Sequence, residues 1–185
     1  GLGDVYKRQI LVYKYTRHHY LLIGSEKQIG LYRGIPNVDL LITNIPQFSL
    51  KELWAFPVKE INRCDIFYCP YINIPGRIKV PVYSTIHDVL FFDVKGLSSR
   101  WGTLLRWAFY KRAVCLSKAL FTVSEFSATR IKKHFHTNKD IHVILNGISE
   151  QIKEYNPIKE RVYDFPYYVY VLSLIHISEP TRHLR

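Results

Sequence analysis

Short, continuous runs of apolar and β-branched residues constrain the fold of this chain more than any other feature of its sequence. Six such runs occur, over residues 20–23, 39–43, 65–68, 82–86, 119–123 and 141–145. Strands buried on both faces of a parallel sheet have continuous runs of this kind, whereas strands with one solvated face alternate. The runs therefore predict parallel strands that are covered on both faces.

Helical patterns separate several of these runs. Residues 49–63 form one, which Pro57 should interrupt or shorten because proline cannot donate the helical hydrogen bond. Residues 98–118 and 124–135 form two longer ones with apolar faces at helical spacing. The residues expected to face inward are Leu104, Leu105, Ala108, Phe109, Val114, Cys115, Phe126, Ile131 and Phe135. Strands that alternate with helices predict an α/β fold, a Rossmann-like doubly wound parallel sheet.

Composition and cysteine content limit the classes of protein to which the chain can belong. The 185 residues are 48% hydrophobic and 22% charged, which is typical of a globular domain with a core. No apolar run approaches the roughly 18 residues of a membrane-spanning helix. The three cysteines are odd in number and irregular in spacing, which argues against a disulfide framework and against a metal site. We therefore expect reduced thiols in a cytoplasmic protein that holds no metal.

The net charge of +11 permits nucleic acid, an anionic membrane or a phosphorylated substrate as a partner. A basic cluster occurs at and after the third helix, at Arg130, Lys132, Lys133, His134 and His136. A solvated helix end is its simplest interpretation, and a patch that faces a membrane or a phosphate is the alternative. The aromatic residues do not interleave with Lys and Arg as they would on a base-stacking surface. Nucleic acid is therefore not the expected partner.

The two ends predict that only the middle of the chain belongs to the gene. Residues 4–9 can be encoded by a DNA segment whose reverse complement encodes residues 172–177. The chain also contains no Met. Inverted copies of one segment at both ends are typical of a translated sequencing adapter. We therefore expect residues 1–9 and 172–185 to be adapter-derived and irrelevant to the fold. Residues 10–171 keep a net charge of +9, because the end segments hold four basic and two acidic residues.

The pattern of apolar runs changes after residue 148. We expect residues 10–148 to form one α/β domain. Residues 149–166 are charged, contain Pro157 and Pro166 and show no clear period, which is typical of a linker. Residues 167–171 begin a new apolar run, which we expect to be the first strand of a second domain.

His87 and Asp88 follow the fourth predicted strand. In open α/β sheets, ligands bind at the carboxyl ends of the strands. A histidine there can donate or accept a hydrogen bond and can change its charge near neutral pH, and Asp88 can orient it or accept a proton from a hydroxyl. An equally simple interpretation pairs His87 with the backbone and lets Asp88 cap a turn. The residues alone leave both interpretations open.

Two further strands end in polar residues. Ser124 stands where a strand runs directly into a helix and is the expected N-cap, with Glu125 favourable to the helix dipole. The free N–H groups of such a helix start also attract anions and hydroxyl ligands. Asn146 and Gly147 are suited to a tight turn after the last predicted strand. Capping and turn formation explain these residues fully, and ligand contact is an additional hypothesis.

In their order and spacing, residues 65–70, 81–88, 119–127 and 143–148 resemble the N-terminal domain of glycosyltransferase family 4. That family carries a D-x-F-H-x-P strand, a T-I-H-D strand, a T-V-S-x-F-S turn into a helix and a V-I-x-N-G-I strand. This chain has Asp-Ile-Phe-Tyr-Cys-Pro, Thr-Ile-His-Asp, Thr-Val-Ser-Glu-Phe-Ser and Val-Ile-Leu-Asn-Gly-Ile. Tyr68 stands where the family has its first histidine.

The resemblance implies the N-terminal half of a GT-B fold, in which two Rossmann-like domains enclose a catalytic cleft. It implies transfer of a sugar from a nucleotide-sugar donor to a glycan or lipid-linked acceptor, with retained configuration and without a metal or other cofactor. His87 would contact the transferred sugar or the acceptor, and Asp88 would support it. The residues implied to line the cleft are Ser124, Glu125, Asn146 and Gly147.

The resemblance also implies that parts of the enzyme are missing. The family's first strand and Gly-rich loop would precede residue 10, and its paired glutamates and phosphate-binding basic residue would follow residue 171. We therefore expect the chain alone to be inactive. The basic surface would suit peripheral docking at the inner face of an anionic membrane. Unchanged membrane affinity after neutralisation of Lys132 and Lys133 would count against that docking.

Two alternatives remain. One is another sugar-nucleotide enzyme, such as an epimerase, which the coding sequence beyond residue 171 would distinguish. The other is a basic α/β module that binds nucleic acid, which a salt-dependent shift with DNA or RNA would support.

Overall fold

The computed structural model describes residues 15–46, 49–94, 96–97 and 99–146, together with Phe165. The chain divides into two compact units, Gly1–Ser149 and Glu150–Arg185, and every element below belongs to the first. Phe165 apart, the expected linker at 149–166, the expected strand at 167–171 and both end segments lie outside the described residues. The predictions for these segments therefore stay predictions.

Parallel strands form the framework of the described residues. In chain order they are β1 (Tyr20–Gly24), β2 (Val38–Ile42), β3 (Phe67–Cys69), β4 (Val82–Thr85), β5 (Ser117–Thr122) and β6 (Ile141–Val143). β1 and β2 pair as one sheet, and β3, β4, β5 and β6 form a second sheet in that order. Each strand predicted for the described region is confirmed to within two residues, as is the α/β fold class.

Helices connect most of these strands. They are α1 (Glu26–Ile29), a 3₁₀ turn (Gly30–Tyr32), α2 (Glu52–Ala55), α3 (Val58–Ile61), α4 (Leu90–Asp93), α5 (Arg100–Leu116) and α6 (Glu125–Phe135). Pro57 separates α2 from α3, so the predicted interruption is confirmed, as are the two longer helices. The sequence did not indicate α1, the 3₁₀ turn or α4, because four residues are too few to show a helical period.

The main core lies between one face of the second sheet and α5 and α6. Leu120 of β5 is completely buried in a cluster with Val114 of α5 and with Ile131 and Phe135 of α6. Ile131 and Phe135 are thus buried as predicted, but Phe126, in the first turn of α6, is 70% exposed. The prediction for Phe126 is wrong because α6 buries Ser127, Ala128, Ile131 and Phe135, and at 3.6 residues per turn Phe126 lies on the opposite side of the helix from Ile131 and Phe135.

A second cluster continues this core toward β3. Cys69 of β3 and Val82 of β4 are buried with Ile74 and with Ala113 of α5. Burial raises the pKa of the Cys69 thiol to about 12, because an apolar environment disfavours the thiolate. Each fully buried aliphatic side chain of this kind contributes roughly 1.5–3 kcal/mol to folding. Together the two clusters hold β3, β4 and β5 in place under α5 and α6.

The opposite face of the second sheet carries a row of aromatic rings. The ring of Phe121 lies 6.3 Å from Tyr68, 6.5 Å from Tyr83 and 5.6 Å from His142, between ring centroids. Tyr68 and His142 are exposed, and the other two rings are half-buried. The prediction that both faces of this sheet are covered is therefore wrong for the described residues. A continuous apolar run does not reveal this, because aromatic side chains suit a half-exposed face as well.

The strand orders of the two sheets can be compared with that of a doubly wound sheet. Within the described residues, β1 pairs with β2 alone and β3 pairs with β4 alone. In a doubly wound sheet of order 3-2-1-4-5-6, the strand that comes first along the chain lies between the second and the fourth. The pairing of β1 with β2 and of β3 with β4 is compatible with such an order. That a first strand precedes residue 10 stays a prediction.

α5 buries its second half and exposes much of its first. Ala113 and Val114 are buried, whereas Leu104 and Leu105 are 55% and 53% exposed and Ala108 is also exposed. The predicted inward face of this helix is therefore correct at Val114 and wrong at Leu104, Leu105, Ala108 and Cys115. No helix in the described part of the chain is long and apolar enough to cross a membrane.

Candidate functional site

His87 lies just beyond β4 at the carboxyl edge of the second sheet, directly after the buried Ile86. Its Nε2 is 3.3 Å from the backbone oxygen of Pro70, in the segment that follows β3. A carbonyl oxygen only accepts, so Nε2 donates in this contact, and Nδ1 of the neutral ring is left as an acceptor. The half-buried ring can therefore accept a hydrogen bond from a hydroxyl group at this edge.

Buried polar contacts fix the segment that receives this hydrogen bond. The carboxylate of Glu52, in α2, is almost completely buried and accepts from the hydroxyl of Tyr71 and the amide of Asn73. Arg112 of α5 donates to the backbone oxygen of Ile74 at 2.5 Å. Burial, together with the hydrogen bond to Glu52, raises the pKa of Tyr71 well above its ordinary value. These contacts with α2 and α5 hold the segment after β3, and with it the partner of His87.

Asp88 is exposed and has a structural role in this arrangement. Its Oδ1 accepts from the backbone N–H of Leu90 at 3.1 Å, so the side chain stabilises the turn into α4. No hydrogen bond joins the side chains of Asp88 and His87 in the described residues. The Asp88 carboxylate also affects Tyr110, in α5. Burial raises the pKa of Tyr110 to about 12, and the negative charge of Asp88 contributes to that rise.

Ser124 caps α6 and is joined through Ser127 to the end of β4. The Oγ of Ser124 accepts from the backbone N–H of Ser127 at 3.1 Å, which confirms the predicted N-cap. The same hydroxyl donates to the Oγ of Ser127, and that hydroxyl donates to the backbone oxygen of His87 at 3.1 Å. The structure thus brings the polar ends of β4 and β5 together at one edge of the sheet.

The remaining predicted site residues lie near this edge or outside the described residues. Glu125, the first residue of α6, is exposed, where its charge is favourable to the helix dipole. Asn146 is exposed three residues beyond β6, which pairs with β5. Gly147 lies outside the described residues. Direct contact between Glu125 or Asn146 and a ligand stays a prediction.

Three further residues at this edge were not predicted as part of a site. The hydroxyl of Tyr68, in β3, lies 2.8 Å from the Oγ1 of Thr85, the last residue of β4. Thr122, the last residue of β5, is buried, and its Oγ1 has no hydrogen-bond partner in the described part of the chain. Both threonines end a buried strand. The rule that ligands bind at the carboxyl ends of parallel strands, which predicted His87, therefore applies to them as well.

Hydrogen-bonding groups dominate this edge. It presents an imidazole acceptor, several hydroxyls, the free N–H groups of a helix start and two exposed carboxylates, at Asp88 and Glu125. Such a set suits a ligand with many hydroxyl groups, since each hydroxyl can both donate and accept. In the described residues, no group of three His, Cys, Asp or Glu residues is placed to hold a metal ion.

Two open cavities, each of about 600 Å³, lie away from this edge. One is lined by residues 16–19 and 34–37, beside the first sheet. The other lies between α4 and the start of α5 and is lined by Phe92, Val94, Arg100, Thr103 and His134, among others. None of the predicted site residues lines either cavity.

Comparison with known proteins identifies the family of the chain. No curated protein and no solved structure matches it. The family model for Glycosyltransferase Family 4 matches residues 15–151, which includes all six strands and the whole candidate edge. With most of its length matched, the chain belongs to glycosyltransferase family 4.

Proposed function

We propose that the chain is the acceptor-side part of a retaining glycosyltransferase. The enzyme would move a sugar from a nucleotide-sugar donor to a glycan or lipid-linked acceptor, in the synthesis of a surface polysaccharide or a similar glycan. Membership of the family supports sugar transfer in general. The donor, the acceptor, retention of configuration and a cytoplasmic, membrane-peripheral location belong to the proposal.

One observation carries the proposal at the level of residues. The hydrogen bond from Ser127 to the backbone oxygen of His87 joins the T-I-H-D segment to the T-V-S-x-F-S segment at one edge of the sheet. The two segments are 40 residues apart in the chain. Because β4 and β5 are adjacent parallel strands, their ends meet at one edge, and this contact supports the proposal by placing both polar segments within reach of a single ligand.

The residues would have distinct roles in such a site. His87, with its Nδ1 available, would accept a hydrogen bond from a hydroxyl of the transferred sugar or the acceptor. Asp88 would act by holding the turn that follows His87, as its hydrogen bond to Leu90 suggests. Ser124, Glu125, Asn146 and Gly147 would line the acceptor side of the cleft. The transfer would require no metal and no bound cofactor.

The purified chain provides the first test. Incubated with a panel of nucleotide sugars and glycan acceptors, it should release no nucleotide, because the donor-binding half would lie beyond residue 171. Turnover of any nucleotide sugar by this chain would refute the proposal that it is an inactive part of the enzyme.

A longer product of the same gene provides the second test. The flanking DNA should encode paired glutamates and a phosphate-binding basic residue, and the longer protein should transfer sugar. His87→Ala in that protein should lower the transfer rate by about tenfold, as expected for the loss of one hydrogen bond to the substrate that contributes about 1.4 kcal/mol. His19→Ala, at an exposed histidine beside the first sheet, is the matched control and should have no effect. Equal activity of the two variants would remove His87 from the mechanism.

A further inference from the structure

The carboxylate of Glu52 is buried behind the candidate edge. Glu52, in α2, is 2% exposed and accepts hydrogen bonds from the hydroxyl of Tyr71 and the amide of Asn73. Burial of a carboxylate is costly, and apolar side chains that replace a buried polar cluster are often just as stable. Stability alone is therefore a weak reason for Glu52 to occupy this position.

Asn73 also has a polar group whose burial lowers stability. Its amide nitrogen donates to the Glu52 carboxylate and, at 3.0 Å, to the backbone oxygen of Ser49. Its side-chain oxygen is buried and has no hydrogen-bond partner in the described part of the chain, which costs free energy. The same contacts hold the Glu52 carboxylate in one orientation, in which it accepts from Tyr71.

Tyr71 connects this carboxylate to the candidate site. Its backbone nitrogen and the carbonyl of Pro70 belong to one planar peptide unit. The oxygen of that unit is the atom that accepts from Nε2 of His87 at 3.3 Å. No hydrogen bond joins Glu52 directly to His87 among the described residues. An effect of Glu52 on the imidazole therefore passes through Tyr71 and this peptide unit.

The peptide unit between Pro70 and Tyr71 is held on both sides. On one side, the proline ring fixes the backbone rotation of Pro70 itself. On the other side, the Tyr71 N–H is hydrogen-bonded to the buried sulfur of Cys69, and the Tyr71 hydroxyl donates to Glu52. A thiol is a weak acceptor, whereas a carboxylate is a strong one. Glu52 thus supplies the stronger of the two restraints on the Tyr71 side.

The position of the Pro70 carbonyl determines how His87 is presented. The carbonyl accepts from Nε2, so Nδ1 of the neutral ring is the nitrogen that can accept from a substrate hydroxyl. At 3.3 Å the hydrogen bond is already longer than usual, and a further displacement of the carbonyl would weaken it steeply. A small movement of the peptide unit would therefore release the ring.

We propose that Glu52 is a positioning residue for sugar transfer, which acts through Tyr71 and the Pro70 carbonyl to hold the His87 ring with Nδ1 as its acceptor. The inference rests on the proposed function, because it explains how His87 is prepared for a substrate. The positioning itself exists without a substrate. It can therefore be measured on this chain, and can fail, independently of transfer.

Hydrogen exchange at Nε2 of His87 tests the positioning. In the ¹⁵N-histidine-labelled chain, the NMR signal of this proton is identified by its loss in His87→Ala. Glu52→Met removes the acceptor of Tyr71 at similar volume, and should make the proton exchange with water about tenfold faster, as expected when one hydrogen bond is lost. Glu52→Gln should exchange as the unchanged chain does, because the Tyr71 hydroxyl can turn and accept from the amide. Equal exchange in the two variants would overturn the proposal.

Apolar replacement of both partners separates positioning from folding. Glu52→Met combined with Tyr71→Phe leaves neither member of the pair without its partner, so the stability measured in urea should change little. The His87 proton should still exchange about tenfold faster. Tyr71→Phe alone removes a single oxygen atom and should have the same effect on exchange, which preserves the test if the double variant does not fold. Slow exchange in every folded variant would contradict the proposal.

Arg112→Gln is the matched control. Arg112 donates to the backbone oxygen of Ile74 in the same segment, but farther along the chain from Pro70 than Tyr71 is. The substitution should leave exchange at His87 within about twofold of the unchanged chain, since restraints on separate residues act nearly independently. Exchange as fast as in Tyr71→Phe would show that the whole segment, and not the link to Glu52, positions His87.

The longer product of the gene tests the consequence for catalysis. Glu52→Met should lower the transfer rate by no more than His87→Ala does, because it acts through His87. In the His87→Ala background it should change the rate by less than about twofold, since no imidazole is left to position. Losses that multiply would show that Glu52 acts elsewhere and would overturn the proposal. A longer protein that transfers no sugar would refute the proposed function and with it the catalytic role of Glu52, whereas the exchange results would be unaffected.

Discussion

α5 precedes β5 along the chain, and α6 follows it. Both helices were predicted to bury an apolar face, but only α6 does so over most of its length. α6 begins at the capped Ser124 and buries Ile131 and Phe135 completely. In α5, no side chain from residue 100 to residue 109 is buried, and Ala113 and Val114 supply the core contacts. A helical period therefore predicts that a helix forms, and leaves open whether its apolar face meets the core or another surface.

The two helices also differ in their links to the rest of the fold. Phe135 contacts α5 and α4 through ring interactions with Tyr110, at 5.9 Å, and Phe92, at 5.6 Å. The first half of α5 is linked by the cation–π contact of Arg106 with Phe91 and by the ring contact of Trp107 with Phe135, at 6.5 Å between centroids. α6 thus anchors the sheet, while the start of α5 is exposed and available to a partner. Three predictions test this difference.

The largest effect should come from Phe135→Ala. Removal of a fully buried aromatic side chain costs about 3–5 kcal/mol in the free energy of unfolding. Leu104→Ala, in the exposed half of α5, should change it by less than about 0.5 kcal/mol. Urea unfolding followed by circular dichroism measures both values.

If Phe135→Ala does not fold, a milder variant preserves the comparison. Ile131→Val, at a fully buried position in α6, should cost about 0.5–1.5 kcal/mol. A cost for Leu104→Ala equal to that of Ile131→Val would show that α5 is packed as firmly as α6.

The two helix caps should differ by a smaller amount. Ser124→Ala removes the cap of α6 together with the hydroxyl contact that leads through Ser127 to His87, and should cost about 1–2 kcal/mol. Ser99→Ala removes the equivalent cap of α5, where Ser99 accepts from the N–H of Gly102 at 3.1 Å on an exposed surface. It should cost about 0.5 kcal/mol. Thermal unfolding of both variants under the same conditions would show which substitution destabilises the chain more. A larger loss of stability for Ser99→Ala would contradict the assignment of α6 as the helix that anchors the sheet.

The smallest expected change in stability comes from removing the ion pair between α4 and α6, and this change depends on pH. Hydrogen bonds from Arg130, and further from His134, lower the pKa of Asp93 from 3.8 to about 2. Because the pKa is lower in the folded state, the contribution of Asp93 to stability is complete above about pH 4 and is lost as the pH falls toward 2. The melting temperature of Asp93→Asn should therefore lie below that of the unchanged chain at pH 6, and the difference should narrow between pH 4 and 2.

The control for this prediction is Asp39→Asn. Asp39 contacts His19 on an exposed surface beside the first sheet, where an ion pair contributes little. A pH-independent difference for Asp93→Asn would indicate that its charge has no role in joining α4 to α6.

Much of the candidate site followed from the sequence, because its residues stand at the ends of apolar runs. His87, Ser124 and Asn146 each follow a strand, and parallel strands carry such residues to one edge. The hydrogen bond of His87 to Pro70, the buried Glu52 behind it and the contact of Tyr68 with Thr85 did not follow. Each joins residues at least 17 positions apart, and no local pattern encodes such a pairing.

The sequence by itself determined the strands, the longer helices and the family, because each depends on residues that are neighbours along the chain or on motifs in a fixed order. Only the tertiary structure decided which face of each element is covered. Burial of Ile131 and exposure of Leu104 have the same local signature, an apolar residue at helical spacing. They differ because burial depends on which distant segment packs against the helix, and at the start of α5 none of the described residues covers that face.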